Sequence, residues 1–250
     1  MNSTVLPIRL KYAISQSSHN IKQENINNTY AKVKVQNIGD RKNVEIFYKK
    51  ANGEWSSENM VLKANYGDYE IYTTKDIPLT EEFAFKYTVD GVEYWDSNYG
   101  NNYKLLTHRA NNVMGGNVIL NKALAKNDPE FGWDLESKKY WMEGEIYVRR
   151  KTSYNKRVGI KLTADNGDSW EEVEAFYEHP VEEGCNIDVA LGELEVELWK
   201  FKTPVYQYNP KSHVFQFVVY YQNPDTGEFY WDNNFEQNYK LSKMSNSLLE

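Results

Sequence analysis

The segment EYWDSNYGNNYKL (93–105) returns as FYWDNNFEQNYKL (229–241), identical at eight of thirteen positions. No other feature constrains the fold as strongly. A chain of 250 residues that repeats itself is built from two copies of one unit, each long enough to bury a core. Trp170 follows Trp55 by 115 residues and Trp231 follows Trp95 by 136. The second copy therefore carries extra residues between those landmarks, most of them within 182–213. The polar, Gly-paired stretch THRANNVMGGN (107–117) reads as a linker. First strands fall at IRLKYAIS (8–15) and VILNKALA (118–125), and the boundary lies near residue 113, giving units 1–112 and 113–250.

Apolar residues alternate with polar ones and do not recur at helical spacing. In the first copy this holds for AKVKVQN (31–37), NVEIFYKK (43–50), DYEIYTT (68–74) and EFAFKYTV (82–89). The second copy has GEIYVRRK (144–151), a run over 157–170, EEVEAFYE (171–178), HVFQFVVYY (213–221) and a run over 224–235. These read as strands. Turn residues divide them, and Asp90-Gly91 is a strong hairpin signal. The spacing predicts an all-β chain of two tandem antiparallel β-sandwiches. Segments 16–30 and 126–144 are assigned to a long first loop in each unit.

Several function classes are excluded. The net charge is −7 and no Lys/Arg stripe is present, so no nucleic acid is expected as a partner. No apolar run reaches the roughly 20 residues of a membrane span, and the first fifteen residues lack the apolar core of a signal peptide. Cys185 is the sole cysteine; it allows no internal disulfide and reads as a small core residue. His19, His108, His179 and His213 lack metal-ligand spacing. There is no GxSxG, Gly-rich phosphate loop or Cys-His pattern. The acidic runs at 171–174 and 192–197 read as solvated faces, not as the facing carboxylates of a glycosidase. The residues point to no metal, no cofactor and no catalytic group.

Aromatic residues make up 15% of the chain, with 20 Tyr and 7 Trp, more than a core of this size needs. Trp95 and Trp231 each follow a Tyr and precede an Asp at the start of an Asn-rich stretch. Two readings are open on the residues alone. Each Trp is a core residue and the Asn and Asp side chains shape turns, or each Trp is a surface platform beside hydrogen-bonding amides. The second has a chemical rationale, because a glucose ring is apolar on its faces and hydroxylated round its rim. A flat ring covers the face, while an amide donates to one hydroxyl and accepts from another.

These segments resemble the family 21 carbohydrate-binding modules, the starch- and glycogen-binding domains of fungal glucoamylases and of glycogen-targeting subunits of protein phosphatase 1. The family segment WDNNxGxNY stands here as WDSNYGNNY (95–103) and WDNNFEQNY (231–239). A block of the form KxVxVxxxxDxW, often followed by an acidic stretch and AxY, is matched by KNVEIFYKKANGEW (42–55) and KRVGIKLTADNGDSWEEVEAFY (156–177), and an FxFxxxY strand by FAFKY (83–87), with two residues fewer, and by FQFVVYY (215–221). The resemblance implies two immunoglobulin-like sandwiches that bind α-1,4-glucans without cleaving them. Carried across, the principal site comprises Trp55, Trp95, Asn98 and Asn102 in the first copy. In the second it comprises Trp170, Trp231, Asn233, Asn234 and Asn238. Asp96 and Asp232 would shape the loop, with Tyr103 and Tyr239 beneath it. Two departures stand out: Ser97 replaces an Asn, and Glu236 replaces the Gly of the turn. A second family site is matched only in part, by Asn37 and Lys42 in one copy and by Tyr154 and Lys156 in the other.

The expected function is non-catalytic binding of starch, glycogen or maltooligosaccharides, with one principal site per repeat and affinities that differ between the two. A catalytic domain or enzyme outside the chain is an expected partner. One alternative is a glycogen-targeting scaffold for a phosphatase, whose docking motif RVxF has its nearest match in RVGI (157–160). Another is the binding portion of a larger amylase. The Asn-, Lys- and Tyr-rich composition without disulfides reads as bacterial, and a bacterial starch binder is expected to be secreted.

Overall fold

The computed structural model describes residues 5–19, 25–75, 77–78, 80–105, 111–128, 138–181, 195–207, 209, 212–243 and 247–250, with the main chain alone at 16–19 and 25–27. Cys185, His108 and half of the 182–213 insertion fall outside these residues. Two compact units divide the described residues. One takes Met1–Gly116 with Pro180–Val196, the other Asn117–His179 with Glu197–Glu250.

In the first unit the strands are β1 (Ile8–His19), β2 (Asn25–Gln36), β3 (Lys42–Lys49), β4 (Trp55–Asn59), β5 (Val61–Asn65), β6 (Tyr69–Thr73), β7 (Ile77–Pro78), β8 (Glu82–Val89), β9 (Val92–Asp96), β10 (Tyr103–Lys104) and β11 (Asn112–Val113). One sheet runs β11-β1-β2-β6-β5 with β7 on β2, the other β10-β8-β3-β4 with β9 on β8. All described pairings are antiparallel. Alternation decides which way each strand faces. Val44, Ile46 and Tyr48 of β3 and Phe83, Phe85 and Tyr87 of β8 turn inward against Leu10, Ala31, Val33 and Val35 of the facing sheet. Burying each large side chain contributes roughly 1.5–3 kcal/mol, and a one-residue slip would turn the whole set outward.

The second unit repeats this with β12 (Val118–Asn127), β13 (Lys139–Arg149), β14 (Arg157–Thr163), β15 (Glu171–Glu174), β16 (Phe176–Pro180), β17 (Val196–Lys202), β18 (Tyr206–Gln207), β19 (Val214–Gln222), β20 (Phe229–Asp232), β21 (Tyr239–Ser242) and β22 (Leu248–Leu249). Its sheets run β16-β17-β13-β12-β22 with β18 on β13, and β15-β14-β19-β20 with β21 on β19. Val158, Ile160 and Leu162 of β14 and Phe215, Phe217 and Val219 of β19 are buried, as are Met142, Ile146 and Val148 of β13. The chain is all-β, in paired antiparallel sheets of immunoglobulin-like kind. Among the described residues no helix is long and apolar enough to cross a membrane.

Two expectations need correction. EEVEAFYE (171–178) is not one strand: β15 pairs with β14 in one sheet and β16 with β17 in the other. The chain changes sheets at Ala175, whose N–H bonds Val158 O at 2.8 Å. In the first unit Met60 does the same between β4 and β5, its N–H bonding Val44 O at 2.8 Å. A one-residue crossing leaves no break in an alternating pattern. Nor are 16–30 and 126–144 simply loops. β1 and β2 stay paired out to His19↔Asn25, and β12 and β13 out to Asn127↔Tyr140. Backbone ladders hold these polar extensions, which a hydrophobic pattern does not reveal.

The Asp90-Gly91 hairpin forms as expected. Val89 faces Val92, and φ is +49° at Asp90 and +88° at Gly91, the two positive values of a type I′ turn.

Candidate functional site

In each unit the WD segment joins a sheet strand to a hydrogen-bonded loop. The strand ladder sets the Trp: Trp95 of β9 stands opposite Lys86 of β8, and Trp231 of β20 opposite Tyr220 of β19. Its neighbours along the strand, Tyr94 and Asp96 or Tyr230 and Asp232, take the other parity. The Trp therefore lies on the outer face of the sheet. Trp55 opens β4 opposite Lys49, on the outer face shared with Phe47 and Trp95. Trp170 immediately precedes β15, in the parity of Glu172 and Glu174. All four Trp rings are between 40% and 47% exposed, so the core reading does not hold for them.

The Asp after Trp95 and after Trp231 is buried and holds three elements together. Asp96 Oδ2 accepts the Leu10 N–H at 2.7 Å, and its Oδ1 accepts the Tyr103 hydroxyl at 2.7 Å. Asp232 Oδ2 accepts the Leu120 N–H at 2.8 Å and the Tyr239 hydroxyl at 2.7 Å. Leu10 and Leu120 each sit at a register shift, in β1 and β12, where an irregularity frees an amide from the ladder. Burial pushes the Asp96 carboxyl above the usual carboxylate range, against the pull of the Tyr103 and Leu10 donors.

Beyond the Asp, the loop makes a left-handed turn. Asn98, Tyr99 and Gly100 have φ of +51°, +58° and +85°, and Asn234, Phe235 and Glu236 have +52°, +56° and +67°. The two sequence departures thus leave the loop shape intact. Ser97 Oγ accepts the Gly100 N–H at 3.2 Å, and Asn233 Oδ1 accepts the Glu236 N–H at 3.2 Å, so Ser and Asn do one job. Glu236 adopts the left-handed conformation that its glycine counterpart takes without a Cβ penalty. One difference does appear: Tyr99 is fully exposed, whereas Phe235 is buried.

The amides expected to meet hydroxyls divide into two groups. Asn98 Nδ2 donates to Asn102 O at 3.1 Å, and Asn234 Nδ2 donates to Asn238 O at 3.2 Å. Asn234 is buried and its side chain closes the loop. Asn102 Nδ2 is held by Glu82 Oε1 at 2.9 Å. That bond, more than the nearby lysines, draws the Glu82 carboxyl below its usual range. Asn238 has no side-chain hydrogen bond among the described residues and is partly exposed, and the Asn233 amide nitrogen is likewise not engaged.

Residues that sequence reasoning did not single out surround the Trp rings. In the first unit the Phe47 ring lies 4.7 Å from Trp95 at 54°. Lys86 Nζ stands 5.8 Å from the Trp95 ring and pairs with Glu45 at 2.9 Å and Glu93 at 3.4 Å. In the second unit the same ladder positions read Lys161 for Phe47, Tyr220 for Lys86, Gly159 for Glu45 and Phe229 for Glu93. Phe229 is parallel to Trp231 within 10°, with centroids 5.6 Å apart. Lys161 Nζ lies 5.4 Å from the Trp231 ring. The available signal was the outward parity of these positions around each Trp.

The partial second site is engaged in structure. Lys42 Nζ bonds Asn37 Oδ1 and pairs with Glu70 at 2.7 Å, and Asn37 Nδ2 donates to Gly67 O at 2.7 Å. Lys156 is buried, bonding Arg150 O at 2.9 Å and Ser153 O and pairing with Glu197 at 3.4 Å. Tyr154 is 98% exposed.

Each unit is thus an antiparallel sandwich that carries half-exposed Trp rings on the outer face of one sheet. Residues 132–242 match the family described as carbohydrate/starch-binding module (family 21). Over 85 residues the chain is 31% identical to Glucoamylase 1 of Rhizopus oryzae, a match that covers 31% of this chain and 14% of that protein. The chain thus spans a small part of that relative's length. The family match takes in Trp170 and Trp231 with their loops, and supports starch or glycogen binding at the level of the family.

Proposed function

We propose that the protein is a tandem, non-catalytic binder of α-1,4-glucans, with one principal site on the outer sheet face of each unit. The observation that carries this reading is the set of half-exposed Trp rings on the outer face of one sheet in each unit, Trp55 and Trp95 in the first and Trp170 and Trp231 in the second, with a loop pinned by a buried Asp following Trp95 and Trp231. Trp95, Trp231 and the Asn238 amide offer a platform and a donor. Such a shallow site binds weakly alone. Two joined sites meet a polymer at an effective concentration near millimolar, raising avidity by roughly 10²-fold or more. The matched family is one of binding modules, and the glucoamylase match favours a chain that serves a catalytic domain elsewhere.

The phosphatase-scaffold alternative draws no support from RVGI. Val158 and Ile160 are buried, and β14 is paired on both edges by β15 and β19, so the segment is not presented for docking.

The test is calorimetry with β-cyclodextrin and co-sedimentation with insoluble starch. The expected results are two sites per chain and loss of both signals in Trp95→Ala/Trp231→Ala with the fold retained. Wild-type protein that binds neither ligand would refute the reading.

A further inference from the structure

The two units surround the same Trp with different chemistry, and in the second unit the difference builds a surface. Phe229 and Trp231 are alternate residues of β20, so both side chains leave the same face of the strand. Phe229 is 43% exposed, comparable to Trp231, although it is a large apolar ring on a surface strand. Its position is also supported from below. Tyr220 is buried beneath the pair, 6.3 Å from Phe229 and 5.8 Å from Trp231, and its hydroxyl donates to Glu172 Oε1 at 2.5 Å. Gly159 makes room for that ring. A Cβ there would lie 2.8 Å from the Tyr220 hydroxyl and 2.4 Å from Val173 O, the latter being backbone that has no room to yield.

The first unit fills the corresponding positions with Glu45, Lys86 and Glu93, joined as ion pairs. Its second ring, Phe47, lies on the other side of Trp95, toward β4 and Trp55. The apolar strip of the second unit therefore extends along β20, away from β15 and Trp170, and that of the first unit toward Trp55.

We infer that Phe229 is a sugar-contacting residue, a second stacking ring that adds a glucosyl unit to the site at Trp231 and gives the second unit a binding track the first unit lacks. This rests on the glucan-binding reading. A glucosyl unit adjoining the one on Trp231 covers the exposed part of the Phe229 ring with its apolar face, removing from water the apolar surface that Tyr220 and Trp231 leave uncovered.

The test uses the full chain carrying Trp95→Ala, which silences the first unit, titrated with maltoheptaose in a calorimeter. Adding Phe229→Ala or Phe229→Leu is expected to weaken binding about tenfold, and Phe229→Tyr to restore it, since only the Tyr keeps a ring face. Intermolecular NOEs between the Phe229 ring protons and glucosyl protons are expected in the Trp95→Ala protein. Undiminished affinity in Phe229→Leu, or loss of affinity without those NOEs, would overturn the inference, the latter showing that Phe229 merely positions Trp231. Should Phe229→Ala unfold, Phe229→Leu and the NOEs decide. Failure of the glucan reading looks different: the Trp95→Ala protein would then bind no maltoheptaose at all.

Discussion

The Tyr103 hydroxyl donates a 2.7 Å hydrogen bond to Asp96 Oδ1, while the other oxygen of that carboxylate takes the Leu10 amide. One buried carboxylate thus ties the end of the WD loop, its start and the irregular point of β1. The second unit repeats the arrangement with Tyr239, Asp232 and Leu120. The conserved spacing of Trp-Asp and Asn-Tyr within the duplicated segment follows from this latch: the loop between Asp and Tyr must close so that the two side chains meet.

Removing the hydroxyl tests the latch. Tyr103→Phe leaves the ring packing against Phe83 and Phe85 but takes a donor from a buried carboxylate. A hydrogen bond to a charged group contributes roughly 1.5–3 kcal/mol, and a loss of that size is expected in the first unit's denaturant unfolding transition. Unchanged stability would mean that the Leu10 amide alone holds Asp96.

Glu236 tests the turn. It stands at φ +67° where the first unit has Gly100 at +85°, and the left-handed conformation disfavours an L side chain by roughly 1–2 kcal/mol. Glycine also loses more freedom on folding, so Glu236→Gly should stabilise the second unit by a net of about 0.5–1 kcal/mol. Thermal melting reads the sign. Gly100→Glu is expected to destabilise the first unit correspondingly.

The amides separate by substitution. Asn234→Ala removes a buried group that closes the loop, and should lower the second unit's stability by about 1–3 kcal/mol. Asn238→Ala should leave the melting point in place and weaken maltoheptaose binding by about two- to tenfold, the value of one ordinary hydrogen bond. Equal effects of the two variants on melting would contradict the division.

Acid probes a different face. Lys126, ahead of Trp141 and Lys202, holds the Glu143 carboxyl down to about 2 from its ordinary 4.5. A carboxylate with a lowered native pKa contributes stability that is complete above its unfolded value and is lost as pH falls through the native one. The unfolding midpoint should therefore fall more steeply between about pH 4.5 and pH 2 in wild type than in Glu143→Gln. Parallel curves would place the acid sensitivity elsewhere.

The sequence by itself determined the all-β class and the hairpin at Asp90-Gly91, while it left open whether Trp95 and Trp231 face the core or solvent, which the structure decided. The class and the hairpin are local, or set by strand periodicity, and periodicity is written in the order of the residues. The family likeness of the second half was legible for the same reason, because WDNN and KxVxV are contiguous blocks. Tertiary structure alone decided which amides close the loop and which have no side-chain partner among the described residues, since Asn234 and Asn238 differ in burial and partners, not in type. It also decided that Ser97 and Asn233 are equivalent, and that Phe229 stacks on Trp231 above Tyr220 and Gly159. Those residues are 72 positions apart at their extremes, Gly159 and Trp231, and meet only through the pairing of β14, β19 and β20, and cross-strand contact is a property of register that no single strand carries.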